Sequence, residues 1–370
     1  MSFLNTLLGF LKKLALFILI VAIVIPFRYS STDPKYICVR LIHSILSIKH
    51  SLIPDRARPT LSANYRAFEE MLRMMPFLKF DTSADALTVI KEMRASFTMN
   101  SIIPKPSQCQ INKEVFEYDG HAVDAYWVSY PPKTIQKDSD KILLYIHSGG
   151  YLLGNIHSFS GLECRLSELF NLTILHVEYR LCPEHPLPAA VDDTVAIYRA
   201  LLHQNISPSQ LMIMGDSAGG GLALLAVQAL INHQLPVPRG VIVLSPFTDL
   251  SMSGESYTRN RHTDISPQFD KNWYMAQLLG SNCVQLSLDD PRFSPLFGSF
   301  EGFPALYINV GTAEKMEDDS RRMWTKAKEA GVNVKFEEGL HMTHIYPMFF
   351  LYYPEAQHTL GNINKWIQTI

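Results

Sequence analysis

Residues 215–220 read Gly-Asp-Ser-Ala-Gly-Gly, held between two apolar runs, Leu211-Met-Ile-Met214 before and Leu222-Ala-Leu-Leu-Ala226 after. This order of strand, Gly-x-Ser-x-Gly and helix makes a nucleophile elbow, and it constrains the chain more than any other stretch. Where the backbone turns sharply from strand to helix there is no room for side chains at Gly215 and Gly219. Ser217 is then forced into a strained conformation with its hydroxyl exposed, and the Ala218 N–H points at whatever carbonyl that hydroxyl meets. The pentapeptide alone is a weak pattern. Its flanks give it weight.

A strand-then-helix rhythm surrounds the elbow. Strands are expected at 142–147, 173–179, 211–215, 240–245, 306–311 and 334–338, with helices near 158–170, 189–204, 217–233, 316–331 and 354–369. Short apolar strands alternating with helices imply a mostly parallel sheet covered on both faces. Ligands of such sheets bind beyond the carboxyl ends of the strands, where Ser217 lies. Ahead of this region, 113–118 and 122–130 flank Asp119-Gly120 and read as a β-hairpin. Residues 55–105 carry helix-like spacing (Tyr65, Phe68, Met71, Leu72, Met75), which suggests a mobile helical flap.

The 370 residues leave room for one large domain of roughly 250–300 residues plus extensions. With 47% hydrophobic and 18% charged residues the chain is globular, and a net charge of −2 gives nucleic acid no foothold. The five cysteines (Cys38, Cys109, Cys164, Cys182, Cys283) are scattered without a CxxC pair, so zinc binding is not expected, and their pairing stays open.

The N-terminus differs in kind. Leu14 to Phe27 is a run of fourteen apolar residues between Lys12-Lys13 and Arg28. As a helix it spans about 21 Å, short of the roughly 30 Å hydrocarbon core, a gap that snorkelling by the flanking cations would close. No small-x-small cleavage site follows, so an uncleaved membrane anchor is expected. Its orientation stays open because Arg28, Lys35 and Arg40 oppose Lys12 and Lys13. The sequons at Asn171 and Asn205 are glycan acceptors if the domain is lumenal. Tyr36 to Pro54 alternates apolar and basic residues, suiting a membrane surface or packing on the domain.

A serine nucleophile needs a base, and the base needs an acid to orient it. On a sheet of this kind the chain order is Ser, then Asp or Glu, then His. Glu314, Glu317, Asp318 and Asp319 follow the 306–311 strand, and His341 and His344 follow the last strand. His341 and His344 lack the third ligand and the His-Glu-x-x-His setting of a metal pair. Gly149 and Gly150, in His147-Ser-Gly-Gly-Tyr151 after the 142–146 strand, stand where a second set of oxyanion donors belongs.

The chain resembles the hormone-sensitive-lipase family of α/β-hydrolases, which includes the membrane-anchored arylacetamide deacetylases and related microbial esterases. The likeness spans about residues 110–370. It runs through His147-Ser-Gly-Gly, Glu178-Tyr-Arg-Leu-Cys-Pro-Glu-His-Pro-Leu-Pro-Ala-Ala-Val-Asp-Asp193, Gly215-Asp-Ser-Ala-Gly-Gly220 and Leu244-Ser-Pro-Phe-Thr-Asp249. It continues in Asp290-Pro-Arg-Phe-Ser-Pro295, Val310-Gly-Thr-Ala-Glu-Lys-Met-Glu-Asp-Asp319 and Met342-Thr-His-Ile345. The resemblance implies an α/β-hydrolase fold: a mostly parallel central sheet with helices on both faces and an N-terminal helical cap. It implies Ser217 as nucleophile, His344 as base with His341 as rival, and Glu314 as acid with Asp318 as runner-up. Gly149, Gly150 and Ala218 are the implied oxyanion donors, and no metal or cofactor is needed. Ser148 departs from the usual His-Gly-Gly-Gly, which narrows the acyl pocket or shifts specificity. His147 is a loop stabiliser by the same resemblance, and Arg180, Glu184 and Asp192 are expected in a structural network under the site.

The expected organisation is an anchor at 1–30, a membrane-proximal segment and helical cap at 31–105, and a catalytic domain at 106–370. The expected activity is a serine carboxylesterase or deacetylase acting through an acyl-enzyme on short-acyl esters of lipophilic molecules. A lipase for longer acylglycerols and a non-catalytic binding homologue are the alternatives. Single-pass membrane placement, in the endoplasmic reticulum if the source is eukaryotic, completes the expectation. Oligomeric state is not readable.

Overall fold

The computed structural model describes residues 33–74, 85–131, 141–280 and 285–370, together with Gly9, Lys12 and Lys13. β1 (Gln110–Tyr118) and β2 (His121–Ser129) form an antiparallel hairpin. Asp119 and Gly120 both take positive φ (52° and 75°), the type I′ geometry that an Asp-Gly pair supplies. Then follow β3 (Ile142–Ile146), α4 (Ile156–Phe170), β4 (Thr173–Val177), α5 (Ala189–His203), β5 (Leu211–Asp216), α6 (Ala218–Asn232) and β6 (Gly240–Leu244). After β6 come two short helices, α7 (Ser256–Arg259) and α8 (Lys271–Leu279). β7 (Ala305–Gly311), α9 (Glu317–Glu329), β8 (Val334–Gly339) and α10 (Pro354–Thr369) complete the body.

The strands form one eight-stranded sheet in the order β1-β2-β4-β3-β5-β6-β7-β8. β2 meets β4 antiparallel, and every pairing from β4 through β8 is parallel. β3, β4, β5 and β6 are buried along their whole length, as strands covered on both faces must be. Alternate residues face opposite layers. Leu144, Ile213, Val241 and Ile308 pack with α5, α6 and α9, whereas Tyr145, Met212, Ile242 and Tyr307 pack with α4 and α10. This is the expected α/β-hydrolase architecture.

Among the described residues from 33 onward, three helices precede the body: α1 (Pro34–Leu52), α2 (Ala63–Met74) and α3 (Ala86–Ser96). The residues read as a flap form α2 and α3. In α2, Tyr65, Phe68, Met71 and Leu72 are buried; Met75 lies outside the described residues. Phe68 lies 4.8 Å, centroid to centroid, from both Phe349 and Tyr352. Ser62 holds the start of α2 to α10 through Glu355, by its N–H at 2.7 Å and its hydroxyl at 2.9 Å.

The single-pass membrane placement is corrected. Among the described residues no helix is long and apolar enough to cross a membrane, and the run at 14–27 that carried the expectation lies outside them. α1 carries Lys35, Arg40 and Lys49 and packs on the protein. Arg40 donates to the Leu351 carbonyl at 2.8 Å, and the buried His43 ring lies 3.0 Å from the Asn64 carbonyl oxygen. Anchor, topology and endoplasmic-reticulum placement are accordingly withdrawn.

A disulfide joins Cys109, just ahead of β1, to Cys164 in α4. Cys38 and Cys182 are free, exposed and buried respectively, and Cys283 lies outside the described residues.

Candidate active site

At the carboxyl end of β5, Ser217 has φ 54° and ψ −122°, a conformation that costs a non-glycine residue about 1–3 kcal/mol unless its surroundings impose it. They do. The Ser217 N–H donates to the Leu244 carbonyl at 2.9 Å, and its own carbonyl accepts the N–H groups of Phe247 (2.9 Å) and Gly221 (3.1 Å). The flanking glycines are a steric requirement. A Cβ on Gly215 would sit 2.2 Å from the Gly219 carbonyl oxygen, and one on Gly219 2.1 Å from that of Ile146.

Ser217 Oγ lies 2.9 Å from His344 Nε2, and His344 Nδ1 lies 2.5 Å from Glu314 Oε2. Glu314 is fully buried after β7, and its second oxygen accepts the Gly311 N–H at 2.6 Å and the Ser245 hydroxyl at 2.8 Å. Ser245 Oγ in turn accepts the Ile345 N–H at 2.9 Å. One hydroxyl thus ties the acid to the residue after the imidazole. Sequence reasoning missed this role, although Ser245 lies inside the quoted Leu244–Asp249 motif. Burial opposes a charge on the His344 ring, but the Glu314 carboxylate outweighs it and raises the imidazole pKa above its ordinary value.

Of the two rival residues, Asp318 has its carboxylate engaged elsewhere and His341 is held through its backbone. Asp318 accepts the Ser256 N–H at 2.8 Å and pairs with Arg259 at 3.0 Å. His341 takes φ 63°, and its N–H is held by Thr312 Oγ1 at 2.8 Å. Among the described residues no cluster of His, Cys, Asp or Glu is arranged to hold a metal ion.

The loop after β3 makes a tight coil. Gly149, Gly150 and Tyr151 have φ of 120°, 63° and 61°. The Gly149 carbonyl accepts the N–H groups of Leu152 and Leu153, and the Gly150 carbonyl accepts the Tyr274 hydroxyl of α8 at 3.0 Å. Ala218, fully buried, opens α6 beside this loop. His147 anchors the near end: its ring stacks on Tyr179 (4.3 Å) and on His176 (5.4 Å), and the Tyr179 hydroxyl donates to its carbonyl at 3.0 Å. Beneath it, His176 Nδ1 and Glu163 Oε1 form a fully buried pair at 2.6 Å, which the sequence did not disclose.

The expected network of Arg180, Glu184 and Asp192 does not form as such. Arg180 pairs at 2.8 Å with the buried Asp193, not with Asp192, which is exposed. One residue along α5 turns the side chain by about 100°, and Asp193 is the one that faces the sheet. Glu184 is taken by Arg94 of α3 at 2.7 Å.

Residues 143–348, more than half of the chain, match the family described as the alpha/beta hydrolase fold. An esterase of Acinetobacter venetianus is 33% identical over 235 residues, covering 64% of this chain and 77% of its own. An acetyl-hydrolase of Streptomyces hygroscopicus is 35% identical over 236 residues, covering 63% and 77%. A solved esterase of the bacterial hormone-sensitive lipase family superposes with a TM-score of 0.64 at 29% identity, over 92% of this chain and 99% of that one.

Proposed function

The chain belongs to the alpha/beta hydrolase fold family, and we propose that within it the protein is a carboxylic-ester hydrolase working through a Ser217–His344–Glu314 triad. The carrying observation is the unbroken line from Ser217 Oγ to His344 Nε2 (2.9 Å) and from His344 Nδ1 to Glu314 (2.5 Å). In this reading His344 takes the hydroxyl proton as Ser217 Oγ bonds to the ester carbonyl carbon. The N–H groups of Gly149, Gly150 and Ala218 stabilise the oxyanion. Collapse of the intermediate expels the alcohol with the proton returned by His344. Water, deprotonated by the same ring, then releases the acid from the acyl-enzyme.

Glu314 fixes the tautomer and orientation of the ring and stabilises its protonated form. No step needs a cofactor. On this reading the described helices between 31 and 105 serve as a cap, and the division at 106 opens the catalytic body.

Short acyl groups on lipophilic alcohols are the proposed substrates. The Streptomyces relative's name supports an acetyl group. Turnover of p-nitrophenyl acetate and longer esters tests the reading. Ser217→Ala should lower kcat by ~10⁴-fold or more, and activity should fall with acyl length. Equal turnover by the wild type and Ser217→Ala contradicts the mechanism, and activity rising beyond about ten acyl carbons contradicts the acyl preference.

A further inference from the structure

One N-terminal helix touches the loop that carries the base and, through an intervening loop at 260–263, reaches the one that carries the acid. The Tyr65 hydroxyl of α2, on a side chain only 1% exposed, accepts the Thr343 N–H at 2.8 Å. It also lies 3.1 Å from Thr343 Oγ1 and 3.4 Å from the His341 carbonyl oxygen. Thr343 immediately precedes His344. The Tyr65 ring is wedged edge-on against Tyr353, centroids 5.0 Å apart.

Two turns along α2, Arg73 donates to the carbonyls of His262 (3.3 Å) and Thr263. Thr263 Oγ1 donates to the Ala313 carbonyl at 2.9 Å, and Asn260 Nδ2 donates to the Glu314 carbonyl at 2.8 Å. Arg73 is braced on its own helix by Glu69 at 2.8 Å, and Glu69 is gripped by Arg58 at 2.8 Å. The helix therefore reaches the His344 loop directly from its first turn and, through Thr263, the Glu314 loop from its last.

We propose that Tyr65 and Arg73 are positioning residues for ester hydrolysis, with α2 setting the approach of Glu314 to His344. The proposal rests on the triad reading above. The Glu314–His344 contact is short, and small displacements of either loop weaken it steeply; a shift of about 1 Å in a catalytic group costs on the order of a hundredfold in rate. The charged and titratable groups facing the His344 ring are Glu314, Asp264 and Lys315 from the loops beside it and Asp216 from β5. When Glu314 recedes, burial is less opposed and the ring holds its proton less readily. The acidic limb of kcat/KM must then move to lower pH as kcat falls.

The test compares full-length wild type, Tyr65→Phe, Arg73→Gln and Ser217→Ala on p-nitrophenyl butyrate across pH, with thermal unfolding alongside. Tyr65→Phe keeps the ring and removes the hydroxyl. It should lower kcat roughly tenfold with KM within about twofold, and shift the acidic limb downward. Arg73→Gln should lower kcat roughly threefold in the same pattern. The Arg73 side chain is 37% exposed, so it carries the test if Tyr65→Phe does not fold. Unchanged kcat and pH profile in the folded variants overturn the proposal, as does a loss confined to KM, which would make α2 a substrate contact. Retained turnover in Ser217→Ala overturns the triad reading and this proposal with it, whereas an inactive Ser217→Ala beside a normal Tyr65→Phe overturns this proposal alone.

Discussion

Ser245 bears no charge and has no step in the proposed mechanism, yet its hydroxyl joins Glu314 to the backbone of Ile345. Its own φ of 48° is strained, and its N–H is held by the Asn309 carbonyl at 2.7 Å. Ser245→Ala would leave the Ile345 N–H without its partner, a cost of about 1–3 kcal/mol when buried, and would leave Glu314 Oε1 with the Gly311 N–H alone. It should lower kcat roughly tenfold with KM little changed, and steady-state kinetics beside a melting curve would separate this from unfolding. Glu314→Gln removes the charge that raises the His344 pKa. Because the base must be neutral to act, the acidic limb of kcat/KM in the wild type is expected above that of an ordinary imidazole. It should drop in Glu314→Gln as kcat falls, and a pH profile reads both. An unmoved limb would mean that Glu314 does not set the charge of the ring.

Among elements, α4 and β4 meet through Glu163 and His176, both fully buried. Burial alone would lower the His176 pKa, but Glu163 and Glu178 push it up to about 9. The stacked His147 is pulled down to about 3 by burial and by the cation beside it. The folded pKa of His176 exceeds its unfolded value of about 6.5, so the pair's contribution is full below about 6.5 and is lost as pH rises through about 9. Melting temperature should therefore fall between about pH 7 and about pH 10. His176→Gln should lose that part of the slope and be about 3–5 kcal/mol less stable near neutrality, since it strands Glu163 without a charge partner. A melting series of both proteins across that range checks it.

The order of strands and helices was readable because each strand is a short apolar run and each helix follows it in sequence. The elbow was readable because only glycine fits at 215 and 219. α8 was not: Lys-Asn-Trp-Tyr-Met-Ala-Gln-Leu-Leu has no clear polar face. The Glu163–His176 pair, the Cys109–Cys164 bond and the choice of Asp193 over Asp192 depend on which side chains the packing turns inward, and no local motif announces that.

At the scale of the whole molecule the chain is an eight-stranded hydrolase body with a helical layer fastened over one face. Tyr65 and Thr343 are 278 residues apart in sequence, which is why spacing along the chain could not reveal their contact. The apolar N-terminal run invited a membrane placement that the described helices do not support, α1 being packed on the body through Arg40 and His43. What the whole molecule has to do, on this reading, is hold one serine hydroxyl against one imidazole at the crest of the sheet. Covalent labelling with a fluorophosphonate, followed by mass mapping of the modified peptide, reads this directly. One adduct per chain is expected, on Ser217, absent in Ser217→Ala and formed far more slowly in His344→Ala. An adduct on another residue, or labelling of Ser217→Ala at the wild-type rate, would contradict it.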